Sequence, residues 1–162
     1  LQAITIHLGR RKNPQRDWLT DSYIRRVHRD MFHGVWNWAG KYRITQTNVG
    51  LTPESVPEEI MKLVKDVTFW KESDMPILER AVRLHHRLAW IHPFTNGNGR
   101  HARLMSDIYL NSYKYPYPVW PEKDLLGAGG IRVRYLDVLR EADKGDFQSL
   151  LRFTAAILPK KL

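Results

Sequence analysis

The tightest constraint on this chain is the recurrence of apolar residues at spacings of three and four, punctuated by glycine and proline. That period belongs to helices buried on one face, whereas half-buried strands alternate in steps of two. Ile24, Val27, His28 and Met31 follow Thr20, whose hydroxyl suits a helix start, and Gly34 closes the run. Ser55-Val-Pro-Glu58 reads as a capping box opening a helix with Ile60, Val64 and Val67 on one side. Pro76 opens another, with Leu78, Ala81, Leu84, His85 and Leu88 inward. It must stop before Pro93, because the residue preceding proline avoids the α region. Further helices are expected from Arg100 to Tyr113, from Ile131 to Asp143 with Tyr135, Leu136 and Leu139 inward, and from Phe147 to Leu158 behind Asp146. Ile4 to Arg10 is weakly apolar and fits the end of a helix. One stretch departs from the pattern. Trp36, Trp38, Tyr42, Ile44 and Val49 are β-formers bracketed by Gly40 and Gly50, and they predict a short hairpin or flap. The expected fold class is mainly α, with one small β element.

Composition removes several alternatives. Apolar residues make up 43% of the 162, too many for a disordered chain. There is no Cys, so a disulfide scaffold, a thiolate zinc site and a Cys nucleophile are excluded. The same absence fits a reducing compartment. Arg10, Arg11 and Lys12 follow the first apolar stretch, where a signal peptide would place its cleavage site. A cytoplasmic location is therefore expected. No apolar run approaches the ~18 residues of a membrane helix, so no membrane partner is expected. The chain reads as one domain over 1–162, without repeat or linker. Its opening on Leu rather than Met reads as a trimmed N-terminus. Adjacent His85 and His86 face different sides of a helix and lack the spacing of zinc ligands, so His85 reads as a core residue. The 26 Lys and Arg exceed the 17 Asp and Glu, for a net charge of +9, and such a surface attracts phosphates of any kind.

The segment carrying chemistry is His92-Pro-Phe-Thr-Asn96-Gly-Asn-Gly-Arg100-His-Ala-Arg103, set between two helices. Gly97 and Gly99 let backbone N–H groups approach a ligand closely. Those groups lie at a helix N-terminus, where unpaired donors and the helix dipole favour an anion. Arg100 and Arg103 are three apart and share a helix face, and their forks suit phosphate oxygens. Asn98 adds a side-chain amide between the glycines. His92, at the loop's edge, titrates near neutrality and can take a proton from a hydroxyl. Phe94 reads as a core anchor. Each piece alone is commonplace: Gly-Asn-Gly is a frequent turn, and paired Arg usually mark a solvated face. Together they describe a cradle for a polyphosphate with an imidazole at its rim.

The same segment resembles the signature loop of the Fic family, His-x-Phe-x-Asp/Glu-Gly-Asn-Gly-Arg-x-x-Arg. Trp36-Asn-Trp-Ala-Gly40-Lys-Tyr-Arg43 with Asn48-Val-Gly50 is similar to the family's flap region. Leu139-Arg-Glu-Ala-Asp-Lys-Gly145-Asp146-Phe with Leu150-Leu151 is similar to its closing helices. Met31-Phe-x-x-Val-Trp-x-Trp-Ala-Gly40 with the loop is most similar to the bacterial subgroup called mobile mystery protein B. The resemblance implies a Fic-type helical bundle with a small β-hairpin flap over the active-site loop. It also implies transfer of AMP from ATP to a Ser, Thr or Tyr hydroxyl of a target protein, with Mg²⁺ bridging the phosphates. Under it His92 is the general base. Asn98 and the N–H groups of Gly97 and Gly99 hold the α- and β-phosphates. Arg100 holds the β-phosphate, and Arg103 the γ-phosphate or an internal partner. The flap residues Lys41, Tyr42, Arg43, Ile44, Thr45, Gln46, Thr47, Asn48, Val49 and Gly50 pair with the target, as an added strand does. Asn96 stands where the family carries the acidic Mg²⁺ ligand, and its neutral oxygen is a weaker one. A small antitoxin or inhibitory partner is also implied. The alternatives at this point are transfer from another phosphate donor, removal of AMP, or a non-enzymatic basic module for nucleic acid. The last leaves the His92 loop unexplained, so nucleic acid is not the expected partner.

Overall fold

A computed structural model of the chain describes residues 2–160, and helices begin and end close to the punctuation read above. They are α1 (Gln2–Gly9), α2 (Asp21–Phe32), α3 (Val56–Glu72), α4 (Ile77–Ile91), α5 (Asn98–Ser112), α6 (Glu122–Leu126), α7 (Gly130–Asp143) and α8 (Gln148–Ala156). The chain divides into two compact units, Leu1–Tyr115 and Pro116–Leu162.

In the first unit α5 is the central element. Every residue from His101 to Ser112 is buried, so this helix has no solvated face along that length. Its polar side chains must find partners inside, and they stitch its neighbours to it. The His101 ring meets the Ile24 carbonyl of α2 at 2.9 Å, and Ser106 donates to Ala81 of α4 at 3.2 Å. Asn111 donates to Leu8 of α1 at 2.9 Å. Around them Ile24, Ile60, Leu63, Leu84, Leu88 and Ile91 are fully buried, each contributing about 1.5–3 kcal/mol. Periodicity predicts a helix here but not its burial on every side; the interior polar bonds explain why the buried surface is so wide.

Local signals hold at several ends. Thr20 caps α2, accepting from the Tyr23 N–H at 3.2 Å. Ser55 does not cap α3: its hydroxyl meets that of Thr52 at 2.7 Å, and a 3₁₀ turn, Pro53–Ser55, leads into the helix instead. In the second unit Asp146 accepts from the Gln148 N–H at 3.0 Å ahead of α8, and Gly145 takes the left-handed turn that ends α7. The buried residues of α7 are Tyr135, Val138 and Ala142, with Leu136 and Leu139 half-buried at its margin. Tyr135 packs on Phe153 at 5.8 Å between ring centres.

The expected hairpin is absent: among the described residues there is no strand. The segment from Lys41 to Gly50 has no cross-strand ladder because its polar groups bond elsewhere. The Arg43 N–H donates to the Pro93 carbonyl at 3.0 Å, and Arg43 itself takes the Thr45 carbonyl at 3.2 Å. Gln46 and Thr47 side chains take the Thr47 and Val49 carbonyls.

Candidate functional site

The loop between α4 and α5 is clamped at both ends by residues distant in sequence. At its start His92 closes α4 in the left-handed region, at φ 54° and ψ 59°. A non-glycine residue there costs about 1–3 kcal/mol and persists only when its surroundings hold it. Arg43 supplies the hold. Its Nε donates to the His92 carbonyl at 2.6 Å, and one Nη donates to Ile91 at 3.3 Å and also to Leu51. The last carbonyls of a helix have no intrahelical partner, and a cation suits that end of the dipole. Gly50 lies against the same turn at φ +98°, and a Cβ on it would collide with Cβ of His92. The His92 ring is half-buried and its N–H is accepted by the Ala89 backbone. Burial, then the Arg43 charge, lowers its pKa, so the ring is neutral at pH 7 with one nitrogen open as a base.

The far end is held by His28 of α2. Its Nδ1 accepts the Gly40 N–H at 3.0 Å, which fixes the proton on Nε2, and Nε2 donates to the Asn96 carbonyl at 2.9 Å. Phe94 is fully buried and stacks on the His28 ring at 3.7 Å, as the core anchor expected of it. Burial holds His28 near a pKa of about 4, so it is a neutral bridge. Gly97 then turns the chain at φ +79°, where a Cβ would meet the Phe32 ring at 2.5 Å.

The structure gives the Asn98 side chain a different use from the one expected. Its Oδ1 accepts the Phe94 N–H at 2.9 Å and its Nδ2 donates to the Phe94 carbonyl at 2.7 Å, with the residue 2% exposed. Both ends of the amide hold the loop shut, leaving the backbone N–H as what Asn98 can offer a ligand. Asn96 accepts the Gly97 N–H through Oδ1 at 2.7 Å, so Gly97 is also engaged. The first intrahelical bond of α5 runs from His101 to Gly97, which leaves the N–H groups of Asn98, Gly99 and Arg100 without a backbone partner. The N–H groups left open at this helix start are thus three successive ones, Asn98, Gly99 and Arg100, whereas the sequence reading counts on those of Gly97 and Gly99.

Arg100 is exposed beside them, its guanidinium 4.7 Å over the Phe32 ring and 6.0 Å from that of Trp36. Arg103 is 5% exposed; its Nη1 lies 3.3 Å from where a Cβ on Gly99 would sit, and its charge is felt by buried His85. It belongs to the interior under the helix start. Arg43 and Tyr42, expected to meet a target, are likewise anchors. Arg43 is 3% exposed, and the Tyr42 hydroxyl donates to Asp21 at 2.5 Å. The rest of the flap presents itself outward: Ile44 is 90% exposed and Val49 62%. Among the described residues no backbone N–H from Ile44 to Gly50 has a partner.

Sequence reasoning missed His28 and the true role of Arg43. The signal for His28 was present, since a histidine on the inward face of an apolar helix must bond something. For Arg43 no local signal exists, because its acceptors lie up to 49 positions away.

The arrangement has known counterparts. The family model described as Fic/DOC family matches residues 18–110. Protein adenylyltransferase fic-1 of Caenorhabditis elegans is 37% identical over 122 residues, covering 72% of this chain and 22% of that protein. Protein adenylyltransferase Fic of Nematostella vectensis is 34% identical over 121 residues, covering 72% and 27%. The chain thus spans about a quarter of the length of these curated relatives. Among solved structures, Fic-1 (residues 134–508) from C. elegans superposes with a TM-score of 0.74 at 27% identity, over 96% of this chain and 46% of that one. A Fic domain containing signaling protein from Bacteroides thetaiotaomicron reaches a TM-score of 0.77 at 24% identity, over 96% and 66%, and attests the fold. With the match running from Trp18 through the His92 loop to Leu110, this chain belongs to the Fic/DOC family.

Proposed function

We propose that the chain is a protein adenylyltransferase, moving AMP from ATP to a Ser, Thr or Tyr hydroxyl of a target protein. The observation that carries this reading is the pairing of three unpartnered N–H groups at the start of α5 with a neutral, half-buried imidazole across a clamped loop. The names and identities of the relatives support it. In this reading the ATP phosphates accept from the N–H groups of Asn98, Gly99 and Arg100, and the Arg100 guanidinium, steadied by Phe32, neutralises their charge. Arg103 adds positive potential from beneath. The target hydroxyl gives its proton to the free nitrogen of His92 while its oxygen bonds to the α-phosphorus. The bond from that phosphorus to the bridging oxygen breaks, and pyrophosphate leaves. Most of the catalysis is positioning and charge stabilisation. The exposed N–H row from Ile44 to Gly50 supports pairing with an extended segment of the target, with Ile44 and Val49 as apolar contacts.

Mg²⁺ fits these residues poorly. The Asn96 oxygen is neutral and already accepts the Gly97 N–H, and no group of three His, Cys, Asp or Glu is gathered among the described residues. A metal would have to arrive on the nucleotide's own oxygens, and no step above is routed through one.

The test is intact mass of a candidate target, or of the chain itself, after incubation with ATP. A gain of one AMP that vanishes in His92→Ala is expected. Gain of a phosphate, or release of free AMP without protein modification, would assign the loop to another phosphate reaction. Identical spectra for wild type and His92→Ala would overturn the enzyme reading.

A further inference from the structure

The charge run Arg10-Arg-Lys12 plays no part in the loop's chemistry, and the structure gives it a setting of its own. Along α1 and α2 a surface cleft of about 490 Å³ is lined by Arg10, Arg26, Arg29 and His33, with Gln2 and Ile6 of α1 beside them and Asp30 its one carboxylate. Asp30 meets Nε of Arg26 at 3.6 Å and Nε of Arg29 at 3.6 Å. Each fork is thereby oriented from behind, and its Nη groups carry no partner among the described residues. Both side chains are half exposed, at 51% and 57%. Arg10 makes no hydrogen bond or ion pair among the described residues. His33 bonds the Arg29 carbonyl through Nδ1 at 3.2 Å, which leaves Nε2 toward solvent chemistry. Three guanidiniums against one carboxylate leave the cleft with a surplus of about two positive charges.

The track continues. Lys12 lies close enough to Arg10 and Arg26 for burial and their repulsion to lower its pKa, and its ammonium sits 4.5 Å over the Tyr23 ring. A second cleft is lined by Arg11, Lys12 and Lys114. Residues 10–12 thus join two basic clefts into one extended surface. Like charges gather this way at a cost in folding, and a linear polyanion with phosphates at regular spacing relieves it. Guanidinium forks match phosphate oxygens in paired bonds. Of the rings lining the clefts, Tyr113 is already packed on Tyr109 at 5.2 Å and lies 6.0 Å from the Arg80 guanidinium, and His33 stands alone, so neither cleft offers the row of aromatic faces that base stacking uses. No lining residue belongs to the 92–103 segment, so this surface and the loop do not compete.

We propose that these joined clefts bind the phosphate backbone of a nucleic acid strand without sequence preference. The test is fluorescence anisotropy of the full chain with a labelled single-stranded DNA 12-mer of mixed sequence, between 50 and 200 mM salt. About four neutralised phosphates give a log–log salt slope of about −3. Replacing Arg10, Arg26 and Arg29 together by Gln should flatten the slope by about 2 and weaken binding at least roughly tenfold at low salt. Arg10→Gln alone, which breaks no internal contact, should weaken binding about threefold and separates loss of the site from loss of the fold. Arg100→Ala, at the loop, should bind the 12-mer as wild type does. Absence of binding, wild-type affinity in the triple variant or in Arg10→Gln, or equal loss in Arg100→Ala would overturn the proposal. So would competition by a poly-glutamate peptide as strong as that of unlabelled DNA. None of these outcomes depends on adenylyl transfer.

Discussion

Replacing Arg43 by Lys keeps the charge and removes the fork, and the structure states what that should cost. Three nitrogens of one guanidinium serve four carbonyls: Nε that of His92, one Nη that of Thr45, and the other Nη those of Leu51 and Ile91. An ammonium carries its donors on a single atom and reaches at most two of these positions. The Ile91 carbonyl keeps the Leu51 N–H at 3.4 Å and Thr45 is exposed to water, so the loss falls on the His92 and Leu51 carbonyls, and the one the ammonium serves poorly costs about 1–3 kcal/mol. A loss of about 1–3 kcal/mol lowers the melting temperature of a chain this size by about 2–12 °C. The loss is also local. His92 sits in a left-handed conformation that Arg43 restrains through its carbonyl, and Gly50 packs against it. Released, the ring drifts from the reacting hydroxyl, and a shift of about 1 Å at such a centre costs up to about a hundredfold in rate. The N–H groups of Asn98, Gly99 and Arg100 are held by other contacts. Nucleotide affinity should therefore change little while turnover falls. Thermal melting, ATP binding and single-turnover transfer, measured side by side, check this. A melting temperature within about 2 °C of wild type with full turnover would mean that water serves those carbonyls and that Arg43 holds nothing.

Acid should destabilise the fold well above the carboxylate range. Burial puts His28 at about 4 and His85 and His101 at about 3, against an ordinary value of 6.5. Above pH 6.5 neither folded nor unfolded chain holds these protons. Below it the unfolded chain takes them and the folded chain refuses, so stability is full above pH 6.5 and drains toward pH 4, by up to about 4 kcal/mol per pH unit near pH 5. A urea midpoint unchanged between pH 7 and pH 5 would contradict it. Asn98→Ala strips the Phe94 N–H and carbonyl of both partners and should cost about 2–4 kcal/mol, read as a lower urea midpoint, with the loop as the first segment to exchange its amide hydrogens. Asn96→Asp supplies the carboxylate that the loop lacks, and should make transfer more responsive to Mg²⁺ at sub-millimolar levels. An unchanged metal profile would show that oxygens other than residue 96 hold the ion.

What could be read along the chain, and what could not, divides by sequence distance. Thr20 and Pro76 mark helix starts within a few residues of their effect, and the apolar face of α4 is complete in its own fifteen residues. The anion cradle is equally local, since a glycine turn and a helix start suffice to expose N–H groups. What holds the cradle in shape is not local. His28 reaches 68 positions to Asn96, and Arg43 reaches 49 to His92. Read locally, one looked like part of an apolar stripe and the other like part of a flap. The hairpin failed for a similar reason. β-formers make strands only when a ladder is available, and here side chains take three of the segment's carbonyls while Arg43 bonds Pro93. The breadth of α5's burial was hidden as well, because nothing along the chain marks His101, Ser106 and Asn111 as interior; their carbonyl partners lie on three other helices. The consequence reaches past this chain. A sequence with the whole loop intact from His92 to Arg103, but Leu at the place of His28 or Gln at that of Arg43, would match the motif equally well. Its loop would nonetheless lack one end of its clamp.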